Sequence, residues 1–136
     1  MKVIGINSGL GVAVYAFRKH LLANIETRSV FHTKNNEQWR ANFGNIPLHK
    51  TIKGLENLEN YVDAMISTPD CGAASIFRLS RAKEYGTHKT NKSLDEFFVA
   101  LDLIKPKFFL FENLEGLFKT VTEDDFREAC PLYKLV

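Results

Sequence analysis

The chain has 136 residues, of which 45% are hydrophobic and 25% are charged, and its formal net charge is +2. The apolar and charged fractions are ordinary for a globular protein and exclude a disordered chain. A net charge of +2 is too small to identify a nucleic-acid binder by charge alone. The two cysteines, Cys71 and Cys130, lack Cys-x-x-Cys spacing and metal-ligand spacing with the four histidines. No apolar run approaches the roughly 18 residues of a membrane helix, and Met1 leads directly into a strand-like run. We therefore expect a single domain over residues 1–136, located in a reducing cytoplasm and away from membranes.

The first half of the chain alternates apolar runs with polar or glycine-bearing turns. Short apolar runs bounded by turns predict strands, and apolar side chains three to four residues apart predict helices. The predicted elements are strand Lys2–Ile6, helix Val12–His20, strand Leu21–Ile25, helix Asn36–Phe43 closed by Gly44, and a short strand near Thr51-Ile52.

The second half continues the alternation. The predicted elements are strand Tyr61–Ile66, a long loop Ile76–Lys92, a helix from the capping box Ser93-Leu94-Asp95-Glu96 to Ile104, strand Phe108–Phe111, and a helix start at Thr122-Glu123-Asp124-Asp125. Strands that alternate with helices predict an α/β protein with a doubly wound, mostly parallel sheet. We expect Lys2–Ile6, Tyr61–Ile66 and Lys107–Phe111 to be its central strands. The last residues, Pro131–Val136, are apolar and carry no turn signal, which favours an incomplete sheet.

A glycine turn follows the first strand and carries the pattern Gly9-x-Gly11. Backbone N–H groups at such a turn, where a helix opens, can face a phosphate or a cofactor. The third glycine of the dinucleotide fingerprint is missing. Glu26 ends the predicted second strand, where an acid can bind ribose hydroxyls. The alternative is a tight turn and a solvated acid.

Cys71 lies in a predicted loop, Ser67-Thr68-Pro69-Asp70-Cys71-Gly72, directly after the predicted strand Tyr61–Ile66. A loop thiol whose pKa is lowered can act as a nucleophile. A small buried hydrophobic residue is the alternative, since most free cysteines are of that kind. Glu112 follows a strongly apolar strand, so both side chains are expected at one edge of the sheet.

A basic stretch follows Cys71, with +4 net charge in fifteen residues. Its charged residues are Arg78, Arg81, Lys83, Lys89 and Lys92 against the single acid Glu84. Most such runs are merely solvated, but one close to a nucleophile can contact phosphates.

These segments, in this order, resemble the DNA cytosine-5 methyltransferases, and bacteriophage members of that family look most similar. The turn Asn7–Gly11 stands where the family has its methyl-donor loop (Phe-x-Gly-x-Gly), and Glu26 with Asn42-Phe43-Gly44 resembles the segment that holds the donor's ribose. Pro69-Asp70-Cys71, with Ser75 four residues on, resembles the catalytic Pro-Cys-Gln-x-x-Ser loop. The run Lys105–Leu117 is very similar to the family's Glu-Asn-Val block. The resemblance covers about Lys2 to Leu117, the first half of a family enzyme.

The resemblance implies a Rossmann-like methyltransferase fold, incomplete in this chain, that uses S-adenosylmethionine and acts on double-stranded DNA. It implies that Cys71 adds to carbon 6 of a flipped-out cytosine, that carbon 5 takes the methyl group, and that Glu112 stabilises the adduct. The implied donor contacts are Asn7, Ser8, Gly9, Leu10, Gly11, Glu26 and Pro69. The implied DNA contacts are Ser75, Arg78, Arg81, Lys83 and Asn113.

The chain departs from the family at several points. Asn7 replaces a phenylalanine, Asp70 replaces the proline before the nucleophile, and no acid for the donor's adenine stands near Thr51. No Arg-x-Arg block or target-recognition domain follows. We therefore expect no methylation by this chain alone, and completion of the site by a second chain or a second copy. Two other classes stay open, a non-catalytic methyltransferase-like module that binds donor or DNA and a dinucleotide-binding oxidoreductase domain.

Overall fold

The computed structural model describes residues 1–9, 11–21, 24–28, 36–44, 46–49, 51–59, 61–69, 91–119 and 121–136. Within these ranges the regular elements are β1 Lys2–Ile6, α1 Val12–Leu21, β2 Asn24–Arg28, α2 Asn36–Phe43, β3 Leu48–His49, β4 Ala64–Ser67, α3 Asn91–Ile104, β5 Phe108–Phe111 and α4 Glu123–Ala129. Two 3-10 turns, Leu55–Leu58 and Glu115–Lys119, precede β4 and α4. None of the helices in the described part combines the length and apolarity that crossing a bilayer requires.

The five strands form one parallel sheet in the order β3-β2-β1-β4-β5. Every observed pairing is parallel, and Ile6 at the end of β1 lies beside Arg28 of β2 and Ser67 of β4. The order reverses at β1, which is the arrangement of doubly wound α/β sheets. The expectation of an α/β fold with a parallel sheet is therefore confirmed.

Helices cover both faces of this sheet because the strands are apolar on both sides. On one face, Val3, Ala64 and Ile66 pack against Ala13 and Phe17 of α1. On the other face, one cluster joins β1 and β4 to α3; its sheet and α3 members are Ile4, Ile6, Met65, Phe97, Ala100, Leu101 and Ile104. Alternate residues of each central strand thus point to opposite helical layers, as the pleat requires.

An aromatic group extends the second cluster to the end of the chain. The Phe97 ring lies 4.8 Å from that of Phe111 and 5.5 Å from that of Phe109. Phe126 of α4 reaches the same group, 5.2 Å from Phe111. These offset and edge-to-face contacts hold β5 and α4 against α3.

Several predicted boundaries are wrong by a few residues. The second strand is Asn24–Arg28 rather than Leu21–Ile25, because α1 continues to Leu21. The third parallel strand is Leu48–His49, not the Thr51-Ile52 run. β4 is shorter than predicted and begins at Ala64.

The run Phe108–Phe111 is a strand, but the prediction that it is central and buried is wrong. Among the described strands β5 lies at the edge of the sheet and pairs with β4. Phe108 and Leu110 are 45% and 49% exposed, whereas Phe109 and Phe111 pack against the core. Only one face of β5 is therefore covered.

The predicted capping box at Ser93 is also wrong, because α3 already includes Asn91 and Lys92. Ser93 is buried in the first turn instead of standing before it. The predicted loop Ile76–Lys92 is wrong at its end, because Asn91 and Lys92 begin α3, and residues 76–90 lie outside the described residues. The helix start at Thr122 is confirmed, since Thr122 and Asp125 form a reciprocal capping box for α4.

Candidate functional site

The candidate site is the edge of the sheet where β1, β4 and β5 end. Because parallel strands end on the same side, the residues that follow them meet there. The Thr68 hydroxyl donates a hydrogen bond to the Asn7 carbonyl oxygen at 3.1 Å. The Glu112 backbone N–H donates to the Ser67 carbonyl oxygen at 2.9 Å. The turn after β1, the loop after β4 and the segment after β5 are therefore joined directly.

Asn113 adds a further contact between the last two of these segments. Its side-chain nitrogen donates to the Pro69 carbonyl oxygen at 3.3 Å, and its side-chain oxygen accepts from the Leu114 N–H at 2.8 Å. Pro69 is buried, and it precedes Cys71 by two residues. Both ends of the Asn113 amide are thus bonded to backbone groups, which makes the residue a link between loops. Its predicted contact with DNA stays a prediction.

The glycine turn after β1 is shaped by residues with positive φ. Gly9 has φ 52° and Gly11 has φ 82°, and the Gly11 N–H donates to the Ser8 carbonyl oxygen at 2.7 Å. The turn ends where α1 begins, so the free N–H groups of the first helical turn lie beside it. This geometry suits an anionic or strongly polar ligand group.

The aromatic side chains of α2 pack behind this turn. Trp39 and Phe43 have ring centroids 4.5 Å apart and are both buried. A Cβ atom at position 11 would lie 2.5 Å from Trp39 Cζ3 and 2.5 Å from Phe43 Cε2. Only glycine therefore fits at this position, and the single tryptophan of the chain lies against the turn.

Asn7 ties the turn to the helical layer above. It is 1% exposed and has φ 54°, a left-handed conformation that asparagine adopts more readily than other non-glycine residues. Its side-chain nitrogen donates to the Ser93 carbonyl oxygen in the first turn of α3 at 2.9 Å. Asn7 thus holds α3 against the end of β1.

Of the two predicted glutamates, Glu112 follows the end of its strand and Glu26 does not. Glu112 is exposed and follows β5 directly at the edge. Glu26 does not end its strand: it pairs with Ile4 in the middle of the sheet, two residues before β2 ends at Arg28. The prediction that it stands at the strand end is therefore wrong, because β2 is displaced along the chain. The Glu26 side chain lies outside the described part of the structure.

Several predicted site residues fall outside the described ranges. They are Leu10, Cys71, Ser75, Arg78, Arg81 and Lys83. The other cysteine, Cys130, is 2% exposed in the core, and burial raises the pKa of its thiol. A buried thiol of this kind stays protonated at neutral pH and packs as a small hydrophobic group. Cys71 is therefore the only one of the two cysteines with a sequence context suited to a nucleophile.

Three residues that assemble this edge were not among the predicted site residues. Ser67, Thr68 and Ser93 each supply a backbone oxygen or a hydroxyl to the contacts described above. Thr68 carried a usable signal, since a hydroxyl residue directly after a buried strand can bond to the neighbouring turn. The sequence around Ser93 is misleading, because a serine three residues before Glu96 matches the pattern of a helix capping box.

No protein-family model matches the chain, and no curated protein matches it. In the described part of the chain, no three His, Cys, Asp or Glu side chains are grouped so as to hold a metal ion. The function is therefore inferred from the residues at the sheet edge and their contacts.

Proposed function

We propose that this chain is the donor-binding and catalytic half of a DNA cytosine-5 methyltransferase. In this proposal S-adenosylmethionine binds at Asn7–Gly11, and Cys71 and Glu112 act on a cytosine flipped out of double-stranded DNA. A second chain or a second copy completes the site. The observation that carries the proposal is the direct bonding of the three segments that the family would use.

The spacing of those segments supports the proposal. Asn113 bonds to Pro69, and covalent geometry keeps Cys71 Cα within about 7 Å of Pro69 Cα. Thr68 in turn bonds to Asn7. These contacts support the placement of the donor turn, the start of the cysteine loop and the Glu-Asn block at one edge of the sheet, as transfer between bound groups requires.

In this proposal Cys71 and Glu112 carry out the reaction on the cytosine ring. The Cys71 thiolate forms a bond from sulfur to carbon 6 of the cytosine, which makes carbon 5 nucleophilic. Carbon 5 takes the methyl group from the sulfonium, which leaves as S-adenosylhomocysteine. A base removes the proton from carbon 5, and the bond between sulfur and carbon 6 breaks. Glu112 binds the exocyclic amine and ring nitrogen 3, where charge develops during the addition.

Donor binding is tested through the single tryptophan, because Trp39 lies against Gly11. Titration of the chain with S-adenosylmethionine should change Trp39 fluorescence with weak, saturable binding. NAD in the same titration should give no change at comparable concentrations. Saturable binding of NAD in place of S-adenosylmethionine would instead favour the oxidoreductase class.

The chemical step is tested with labelled S-adenosylmethionine and duplex DNA. The chain alone should transfer no methyl group, and transfer should occur with a second chain that carries the Arg-x-Arg block and a recognition domain. Cys71→Ser should abolish that transfer, and the matched variant Cys130→Ala should retain it. Transfer that survives in Cys71→Ser would remove Cys71 as the nucleophile. Strong transfer by the isolated chain would show that no second chain is needed.

Absence of transfer in every mixture, with donor binding intact, would favour the second candidate, a non-catalytic module that binds donor. Within the oxidoreductase class, NAD is the less favoured ligand, because among the described residues the carboxyl end of β2 carries Arg28, where NAD-binding domains have an acid.

A further inference from the structure

Asn7 has an unpartnered side-chain atom at the edge of the sheet. Its φ of 54° is left-handed, a conformation that asparagine adopts more readily than other non-glycine residues. Its side-chain oxygen, Oδ1, is shielded from solvent and has no hydrogen-bond partner among the described residues. Buried polar atoms nearly always have a partner. The carboxamide therefore points to a ligand group that the chain itself does not supply.

Ser67 presents a second oxygen of the same kind on the neighbouring strand. Its hydroxyl is buried and has no partner among the described residues. Ser67 pairs with Ile6 and follows Met65 by two residues, so it faces the same helical layer as both. That layer is α3, which the Asn7 amide also contacts through Ser93. The two oxygens thus lie on the α3 side of the ends of β1 and β4.

The chemistry of these oxygens defines their ligand. A carboxamide oxygen only accepts hydrogen bonds, and a hydroxyl can accept two. The matching group is therefore one with several N–H donors. On S-adenosylmethionine, the α-ammonium group of the amino-acid end has three donors and a positive charge.

The strand order selects that end of the donor over the others. β2 lies on one side of β1 and β4 on the other. In doubly wound folds that bind nucleotides, the ribose binds towards the end of β2. Ser67 ends β4, so a donor that extends from β2 across β1 brings its amino-acid end to Ser67.

We propose that Asn7 Oδ1 and Ser67 Oγ form the subsite for the α-ammonium group of the methyl donor, an inference that rests on the proposed function. Neither the ammonium contact nor any role for Ser67 follows from the family resemblance, in which a phenylalanine takes the place of Asn7. The subsite fixes the amino-acid end of the donor beside the loop that leads to Cys71.

Two ligands and three variants test the subsite. S-adenosylhomocysteine has the ammonium group, whereas 5′-methylthioadenosine lacks the whole amino-acid end. Asn7→Asp keeps an acceptor oxygen but cannot donate to Ser93. Asn7→Gly removes the side chain while suiting the left-handed backbone. Ser67→Ala removes only the hydroxyl. Affinities are measured by Trp39 fluorescence and by calorimetry, with exposed Asn57→Asp as the control for an added carboxylate.

The wild-type chain should bind S-adenosylhomocysteine more tightly than 5′-methylthioadenosine. Asn7→Gly and Ser67→Ala should each weaken S-adenosylhomocysteine about tenfold and leave 5′-methylthioadenosine unchanged, whereas Asn7→Asp should retain the affinity for S-adenosylhomocysteine. Asn57→Asp should bind both ligands like wild type. Asn7→Asp and Asn7→Gly both lose the bond to Ser93, so a residue that only supports α3 would give the same result in both variants. A difference between them indicates that the side-chain oxygen at position 7 accepts a hydrogen bond from the ligand.

Equal losses for both ligands in Asn7→Asp and Asn7→Gly would overturn the subsite and leave Asn7 as a support for α3. Unchanged binding in Ser67→Ala would remove Ser67, and it stays informative if the Asn7 variants fail to fold. A wild-type chain that binds neither ligand would overturn the proposed function together with the subsite. The subsite alone would be overturned if the wild-type chain bound S-adenosylhomocysteine and 5′-methylthioadenosine equally and the variants had the same affinities as wild type.

Discussion

Two non-glycine residues adopt the left-handed conformation in the described structure, and they do so for different reasons. Lys105, with φ 49°, follows the last residue of α3 and donates its N–H to Leu101, which ends the helix before Pro106. Asn7, with φ 54°, ends a strand at the candidate site. The first ends a helix. The second lies in the turn after β1, where asparagine adopts the left-handed conformation more readily than other non-glycine residues.

Gly11 and Gly9 form a matched pair for a stability measurement. Gly11→Ala adds left-handed strain and drives a Cβ to 2.5 Å from Trp39 and Phe43. We expect it to lower the free energy of unfolding by about 2–4 kcal/mol. Gly9→Ala adds strain alone, since nothing lies within 4 Å of its Cβ position, and should cost about 1 kcal/mol.

Urea denaturation followed by Trp39 fluorescence gives both values. Similar losses for the two variants would show that Gly11 serves only its backbone conformation and that the packing of α2 behind the turn is loose.

Among the helices and strands, the ones predicted well are those with an unambiguous period and clear ends. α2 has aromatic side chains four residues apart and is followed by Gly44, α4 begins at the capping box of Thr122 and Asp125, and β1 is a short apolar run bounded by a glycine turn. The predicted bounds of β2 are wrong because the residues between α1 and β2 are as apolar as the strand itself. Their pattern fits the end of a helix and the start of a strand equally well. The edge position of β5 was missed because an apolar run reads the same in a central strand and in an edge strand. Pairing, which depends on the whole sheet, decides between them.

The α4 helix depends on its capping box. Thr122 accepts from the Asp125 N–H at 3.2 Å, and Asp125 accepts from the Thr122 N–H at 2.7 Å. Thr122→Ala should lower the free energy of unfolding by about 1 kcal/mol, because the Asp125 N–H loses its acceptor and the Asp125 carboxylate loses the hydroxyl that donates to it. Asp125→Asn should weaken the cap as well, whereas Asp124→Asn, exposed in the same turn, should be nearly neutral.

The hydrogen bonds from Thr122 hold the pKa of Asp125 below its ordinary value. The contribution of the carboxylate is therefore present at neutral pH and is lost as the pH falls through that lowered pKa. Thermal unfolding at neutral and acid pH is the measurement. A difference between Asp125→Asn and wild type that is unchanged at acid pH would contradict this account.

The two faces of β5 predict opposite responses to the same substitution. Phe109→Lys puts a charge into the aromatic group around Phe97 and should lower the free energy of unfolding by about 3 kcal/mol or more. Leu110→Lys changes an exposed position and should alter stability by less than about 0.5 kcal/mol. It should also reduce self-association, since charged residues protect sheet edges. Light scattering that is unchanged in Leu110→Lys would show that this edge does not associate.

For the molecule as a whole, the pattern of alternating elements predicted the parallel sheet and the edge at which the site lies. The same rule about strand ends placed the glycine turn and Glu112 on one side. The contacts that join the loops were beyond sequence reasoning, because Thr68 and Asn7 are 61 residues apart and Asn113 and Pro69 are 44 apart. Such bonds depend on side-chain conformations that only the assembled sheet fixes.

Asp63 is the corresponding link at the opposite, amino-terminal edge. Its carboxylate accepts from the Lys107 amine at 2.6 Å and from the Lys2 N–H at 2.7 Å. Its backbone N–H donates to the Lys2 carbonyl oxygen at 2.9 Å, and its carbonyl accepts from the Phe108 N–H at 3.3 Å. One residue thus joins the amino-terminal ends of β1, β4 and β5, and its charge affects the whole sheet.

The bond from Lys107, followed by the one from Lys2, holds the pKa of Asp63 below its ordinary value of 3.8. A lowered folded-state pKa means that ionised Asp63 stabilises the fold fully above about pH 4, and that this contribution disappears as the pH falls through the lowered pKa. Asp63→Asn should therefore lower the melting temperature at pH 7 and bring variant and wild type together at acid pH. Asp95→Asn, an exposed carboxylate on α3, serves as the control and should melt like wild type at both pH values. A deficit in Asp63→Asn that is as large in acid as at pH 7 would mean that the backbone bonds of residue 63, rather than its charge, tie the three strands together.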